Sequence, residues 1–194
     1  MVNKKVLELA NKISRVKSGS KSAITPENPE YKILEPVVTE EMAEVGLFLE
    51  LRKPQSAEEV AALCGKSVEV TAKLLWDLAI AGVCLVGEKE GVDKYWFEIW
   101  VPGHMEMIVN HPDKKSVKDF KQAAVAFEAY GRKKAPATAG IFTVGTGPMR
   151  VIPIETAIQG ETKRASYEEI SKYLNENTVF SVSDCSCRTS REAM

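Results

Sequence analysis

Residues 39–101 carry three helix signals followed directly by two strand signals. The helices are predicted to begin at hydroxyl caps, at Thr39, Ser56 and Ser67, because a side-chain oxygen there can accept a hydrogen bond from a first-turn amide. Glu59 lies three residues after Ser56 and completes a capping box. Three helices with a short turn between the second and third, and a hairpin after them, are typical of a winged helix-turn-helix.

The spacing of apolar residues predicts how far these elements extend. The first helix is expected to run as far as Leu51, and the third is expected to turn an inner face that includes Val70 towards the core. The two strands are predicted at Val83–Val86 and Tyr95–Trp100, joined by a polar loop, Glu88–Asp93.

Residues 1–38 are predicted to precede this domain as a helix and a connector. Apolar residues spaced three or four apart indicate an amphipathic helix between Val2 and Val16. Three prolines interrupt the following stretch, Lys21–Pro36, so it cannot form a long helix. We expect it to be an ordered connector that lies against a domain.

Residues 102–194 are predicted to form a small α+β region. Its predicted elements are two helices, then a strand, a helix and a strand: 104–109, 117–130, Arg150–Glu155, Ser166–Leu174 and Thr178–Ser183. The last strand would lead into a pair of cysteines. The predicted class of the whole chain is therefore α+β, with a winged-helix domain at 39–101 and this smaller unit after it.

The charge of the winged-helix domain disfavours a nucleic-acid partner. Between Thr39 and Trp100, six basic residues oppose twelve acidic ones, which gives a net charge of −6. Proteins bind duplex DNA largely by neutralising phosphates, so this is the wrong sign. The third helix also contains no Arg, Asn or Gln to read bases. We expect the domain to pack against or recruit protein; a winged-helix DNA-binding transcriptional regulator is the alternative hypothesis.

The four cysteines fall into two classes. Cys64 and Cys84 are isolated within apolar patterns, where a free thiol behaves as a small hydrophobic group. Cys185 and Cys187 form a tight pair followed by Arg188. Two thiolates at this spacing can converge on one metal or cluster as the chain leaves a strand, but a cysteine-ligated iron–sulfur cluster takes four. The pair is therefore predicted to be half of a metal site.

Nothing in the sequence indicates a membrane or secretory location. No apolar run approaches the roughly 18 residues that a membrane-spanning helix requires, and Glu8 lies where a signal peptide would be apolar. We expect a cytoplasmic protein with no membrane partner.

Several segments, in this order, resemble the signature of bacterial and archaeal ferredoxin-type 4Fe-4S proteins. The main ones are Arg150–Glu155, Ser166–Ile170 and Ser181–Arg188. The turn at Trp100–Gly103 and the helix end at Phe127–Gly131 are similar to parts of the same pattern. The resemblance covers nearly the whole chain, and it is to the N-terminal region of flavin-linked pyridine-nucleotide oxidoreductases of anaerobic bacteria.

The resemblance implies the N-terminal portion of an iron–sulfur oxidoreductase involved in electron transfer. Cys185 and Cys187 would be ligands of a 4Fe-4S cluster, and further cysteines, with FAD and NAD(P) sites, would lie downstream. The stretch Ser190–Met194 is helix-like but has neither a cap nor a closing glycine, so we expect a truncated chain without turnover in isolation.

The expected partners of such a protein are downstream redox domains or an electron-carrier protein. The sequence leaves the oligomeric state open. A third hypothesis is a non-catalytic interaction module in which the cysteines are inert.

Overall fold

The computed structural model describes residues 2–98, 104–109, 120–138, 170–180, 182 and 184–194. Within them the chain is α+β, with helices and a two-stranded antiparallel sheet, as predicted. In chain order the elements are α1 (Lys4–Ile13), α2 (Pro29–Leu34), α3 (Glu40–Gly46), α4 (Ala57–Cys64), α5 (Val68–Ile80), β1 (Leu85–Lys89), β2 (Val92–Trp96), α6 (His104–Val109), α7 (Phe120–Thr138), α8 (Ile170–Glu176) and α9 (Ser186–Ala193). None of the described helices is long and apolar enough to cross a bilayer.

The chain divides into two compact units. The first comprises Met1–Lys133 together with Asp184–Met194, and the second comprises Lys134–Ser183. The winged helix and α9 both belong to the first unit, and α8 belongs to the second. The domain boundaries predicted from the sequence stay predictions, because the predicted end of the winged helix at residue 101 lies outside the described residues.

The predicted caps of the three winged-helix helices are confirmed. Thr39 Oγ1 accepts a hydrogen bond from the amide of Met42 at 3.2 Å, and Ser67 caps α5 in the same way. The capping box of α4 is complete, since Ser56 Oγ accepts from the Glu59 amide at 3.3 Å and Glu59 Oε2 accepts from the Ser56 amide at 2.6 Å. These bonds satisfy first-turn amides that have no partner within the helix.

The hairpin is tighter than the sequence suggests. Lys89 pairs with Val92, so only Glu90 and Gly91 form the turn, and both have positive φ, +57° and +76°. This is the two-residue geometry that matches the twist of paired strands. The two strands therefore extend further towards the turn than predicted. They include polar residues of Glu88–Asp93, the segment that the hydrophobic pattern assigned to a loop.

The first winged-helix helix ends at Gly46, and the prediction that it continues to Leu51 is wrong. Leu51 instead forms a bridge with Phe97, and Gln55 forms one with Tyr95. The segment after α3 therefore lies beside the hairpin and exchanges backbone hydrogen bonds with it. Pairing with residues 40 or more positions away satisfies this backbone, and a local helical period cannot reveal such a partner.

The core of the winged helix is tightly filled around Phe97, which is fully buried. A Cβ atom placed on Gly46 of α3 would lie 3.3 Å from the Phe97 ring, 3.3 Å from Leu78 and 3.4 Å from Leu9. Glycine at this position lets α1, α3 and α5 approach the ring together.

The N-terminal region completes this core. Val6, Leu9 and Ile13 form the buried stripe of α1. The connector forms the short helix α2, which adds Tyr31 and Leu34 to the same cluster. Residues 2–38 are thus packed onto the winged helix, and their buried side chains form part of its hydrophobic core.

A buried asparagine fastens the connector to α1. Asn11 Oδ1 accepts a hydrogen bond from the amide of Ile24 at 2.8 Å, and its Nδ2 donates to the carbonyl of Leu7 at 2.8 Å. These bonds explain how a polar, proline-containing stretch is held in one conformation.

A second, smaller core joins α2, α6 and α7. It consists of Ile33, Ile108, Ala126 and Phe127, all buried. The predicted helix at 104–109 is confirmed as α6. Helix α7 continues to Thr138, beyond the predicted end at residue 130. In this extension Arg132 pairs with Glu128, and Lys133 pairs with Glu30 of α2.

The predicted strand Thr178–Ser183 is wrong for the residues described within it. Residues 178–180 and 182 lie outside any strand, and Val179 and Val182 are 86% and 93% exposed. The apolar alternation that suggests a half-buried strand is therefore not matched by burial. Its predicted partner, Arg150–Glu155, lies outside the described residues, as does the predicted start of the intervening helix at Ser166.

Candidate functional site

Cys185 and Cys187 lie at the beginning of α9. Cys185 is the N-cap residue and Cys187 is in the first turn, and both are exposed free thiols. The predicted position at the end of a strand is wrong. The residues that follow the pair form a helix of eight residues, whose buried positions recur at the four-residue spacing of a helix face.

Helix α9 has one buried face and one exposed face. Ser186 and Ser190 are buried, at 8% and 5% exposure, while Cys185 and Cys187 are exposed. Helix α9 packs against α6. One face of α9 thus fixes the helix to the first unit and leaves the cysteine pair accessible.

The surroundings of the pair suit an anionic ligand set. Cys185 makes no side-chain hydrogen bond to the first turn of α9, and the amides of a helix N-terminus point towards this end. Arg188, in the same turn, adds a positive charge. In the parts of the chain that the structure describes, no group of three His, Cys, Asp or Glu side chains is placed to hold a metal ion. On their own, Cys185 and Cys187 supply two of the four thiolates that a cysteine-ligated cluster takes.

The other two cysteines are built into the winged helix. Cys84 is buried in the main core, and its Sγ lies 3.7 Å from the carbonyl oxygen of Leu75. Cys64 is half-buried against the same core, with its Sγ 3.7 Å from Thr71 Oγ1. Burial raises the pKa of the Cys84 thiol from 9.0 to about 12, so it stays protonated and poorly nucleophilic near neutral pH.

We expect the four thiols to react in the order of their exposure. In the native protein at pH 8, N-ethylmaleimide should modify Cys185 and Cys187 at least ~100-fold faster than Cys84, because the thiolate is the reactive species and Cys84 is buried and protonated. Peptide mass spectrometry after timed quenching measures each rate. Modification of Cys84 at the rate of Cys187 would contradict the core assignment.

The same shift gives Cys84 a defined pH dependence. The folded thiol keeps its proton up to about pH 12, whereas the unfolded thiol loses it near 9.0. The contribution of Cys84 to stability is therefore complete below about pH 9 and is lost as the pH rises towards 12. A Cys84→Ala variant should lose less stability than the parent protein over this interval in urea titrations.

The cations of the winged helix are already paired with its own carboxylates. Of the six basic residues between 39 and 98, a range the structure describes completely, five form ion pairs with N–O distances of 2.6–3.3 Å. The pairs are Arg52–Glu98, Lys53–Glu50, Lys66–Glu44, Lys73–Asp77 and Lys94–Glu59. A DNA phosphate would have to compete with these partners.

The outward face of α5 is partly apolar. Val70 is 49% exposed, so its predicted inward position is wrong, and the fully buried Thr71 takes that place. Trp76 is 48% exposed, and Lys73 and Asp77 form an ion pair on the same helix. Apolar groups on this helix offer no hydrogen bond to a base edge, and exposed apolar surface suits contact with protein.

Comparisons of the chain with protein-family models, with curated proteins and with solved structures found no match. The resemblance to ferredoxin-type proteins therefore stays a prediction that rests on the motifs themselves.

Proposed function

We propose that Cys185 and Cys187 are two ligands of an iron–sulfur cluster in an electron-transfer protein, and that the winged helix is a surface for protein assembly. The observation that carries the proposal is the separation of the four cysteines. Two are placed in or against the hydrophobic core, and two are exposed side by side at the start of one helix. A chain that used thiols only for packing would have no reason to expose the second pair.

A 4Fe-4S cluster takes four thiolates, and Cys64 and Cys84 are committed to the core. The other two ligands must therefore come from polypeptide other than residues 1–194. The cluster, when bound, would supply one-electron transfer. This chain would contribute two thiolates, amide donors at the N-terminus of α9, and the charge of Arg188, which offsets the negative charge of a thiolate-ligated cluster.

The assembly role of the winged helix is supported by its surface. Its net charge is −6, and five of its six cations are held by carboxylates of the same domain. Val70 and Trp76 are exposed on α5, where a DNA-binding winged helix would present hydrogen-bond donors. The sequence resemblance extends this proposal to its partners, which would be downstream FAD- and NAD(P)-binding domains or an electron-carrier protein.

The deciding experiment measures iron, acid-labile sulfide and the visible spectrum of the full-length gene product isolated without oxygen. We expect about four iron atoms per chain for a 4Fe-4S cluster, and their loss in a Cys185→Ala/Cys187→Ala variant. A Cys64→Ala/Cys84→Ala variant is the matched control and should keep its iron. Absence of iron after anaerobic reconstitution, or its retention in the Cys185→Ala/Cys187→Ala variant, would favour a non-catalytic interaction module.

A further inference from the structure

The turn between α5 and β1 touches the backbone of α6. Gly82 has a φ of +74°, and a Cβ atom built on it would lie 2.6 Å from the carbonyl carbon of Met107 and 2.7 Å from the amide nitrogen of Ile108. Both distances are far below a van der Waals contact, and both involve main-chain atoms, which cannot rotate aside as a side chain can. Only glycine allows this approach.

Helix α6 in turn lies between the winged helix and the cysteine pair. Ile108 and Val109 are fully buried, and Ile108 packs with Ile33 and Phe127 of the second core. Helix α9 packs against α6, with Ser186 and Ser190 as its buried residues. The contacts therefore run without a gap from Gly82 to α6 and from α6 to α9.

We infer that Gly82 is a positioning residue for Cys185 and Cys187. It seats α6 against the winged helix, and α6 supports the helix on which the pair lies. The identity of what the pair binds rests on the function proposed above, but the positioning itself is a property of the metal-free chain. It gives the winged helix a structural connection to the pair, since the turn that holds α6 directly follows α5.

Gly91 provides a matched control. It has nearly the same left-handed backbone, with a φ of +76°, but a Cβ atom there would meet nothing within 4 Å. Gly82→Ala and Gly91→Ala therefore impose the same backbone penalty, and only Gly82→Ala forces α6 away.

The test is amide hydrogen exchange of the metal-free 194-residue chain, read by mass spectrometry for each helix. We expect exchange in α6 and α9 to be at least ~10-fold faster in Gly82→Ala than in the parent, with exchange in α1 and α3 matching that of Gly91→Ala. Equal α9 exchange in the two glycine variants would overturn the inference.

A milder variant keeps the test decisive if Gly82→Ala does not fold. Ile108→Val removes one methyl group from the buried face of α6 and should also raise exchange in α9, whereas Val125→Ala, on an exposed position of α7, should not. Unchanged α9 exchange in Ile108→Val would then overturn the inference. Iron content plays no part in these readings, so the positioning role and the proposed cluster succeed or fail separately.

Discussion

Replacing Phe97 with alanine is expected to lower the free energy of unfolding by about 4 kcal/mol, which is typical of a fully buried phenylalanine. The ring fills the space where α1, α3 and α5 meet, and a Cβ atom on Gly46 would already lie within 3.3 Å of it. The helices around it are tied to the connector and to the hairpin, so they cannot close over the cavity. The loss should therefore lie within the usual range for such a substitution and not below it.

Urea unfolding followed by circular dichroism measures this loss. The backbone bonds of Phe97, from its amide to the Glu50 carbonyl at 3.2 Å and from the Arg52 amide to its own carbonyl at 2.8 Å, do not involve the side chain. Phe48→Ala is the matched control, because Phe48 is 39% exposed, and it should cost less than about 1 kcal/mol. Similar losses in the two variants would show that Phe97 is not central to the core.

Replacing Lys133 with methionine is expected to cost about 2 kcal/mol, because it leaves a buried carboxylate without its ion-pair partner. Lys133 Nζ lies 3.0 and 3.4 Å from the two carboxylate oxygens of Glu30. The Glu30 side chain is only 3% exposed, whereas that of Lys133 is 45% exposed, so solvent moderates the loss. Burial, with a smaller contribution from Glu30, also raises the pKa of the nearby Tyr130 to about 12.

Two further variants distinguish loss of the Lys133–Glu30 ion pair from a general destabilisation of α7. Arg132→Met removes the neighbouring pair with Glu128, whose side chains are 78% and 37% exposed, and should cost less than about 0.5 kcal/mol. Glu30→Leu combined with Lys133→Met should recover most of the stability, since it removes the buried charge as well. A double variant as unstable as Lys133→Met alone would contradict this explanation.

The sequence predicted the elements whose signals are local. The caps at Thr39, Ser56 and Ser67 involve residues at most three positions apart, and each was found where the pattern placed it. The core role of Cys84 also followed from its apolar neighbours. Local hydrogen bonding and hydrophobic periodicity are sufficient for such predictions.

The errors occur where distant contacts decide the structure. Helix α3 stops early because the following segment pairs with β2, and no local pattern reveals that partner. Val70 is exposed although it was predicted to face inward, and Thr71, which packs beside Cys64 of the neighbouring helix, is buried instead. The close approach of Gly82 to the backbone of α6 leaves little signal in the sequence, because a glycine that follows a helix is common in any case.

The candidate site was only half accessible to sequence reasoning. The pair at Cys185 and Cys187 is visible as a motif. Its place at the start of a helix depends on the burial of Ser186 and Ser190, and a hydrophobic pattern does not predict the burial of serines. The exposed Trp76 was also missed, because an aromatic residue in an amphipathic helix is usually assigned to the core.

The internal ion pairs of the winged helix also determine what the domain presents at a distance. Each pair approximates a dipole whose potential fades quickly, so the surplus carboxylates dominate the potential beyond the first layer of water. Their reach is about 8 Å at physiological ionic strength. Within this distance a cationic surface would be attracted to the domain and a polyanion repelled, and added salt would weaken both effects.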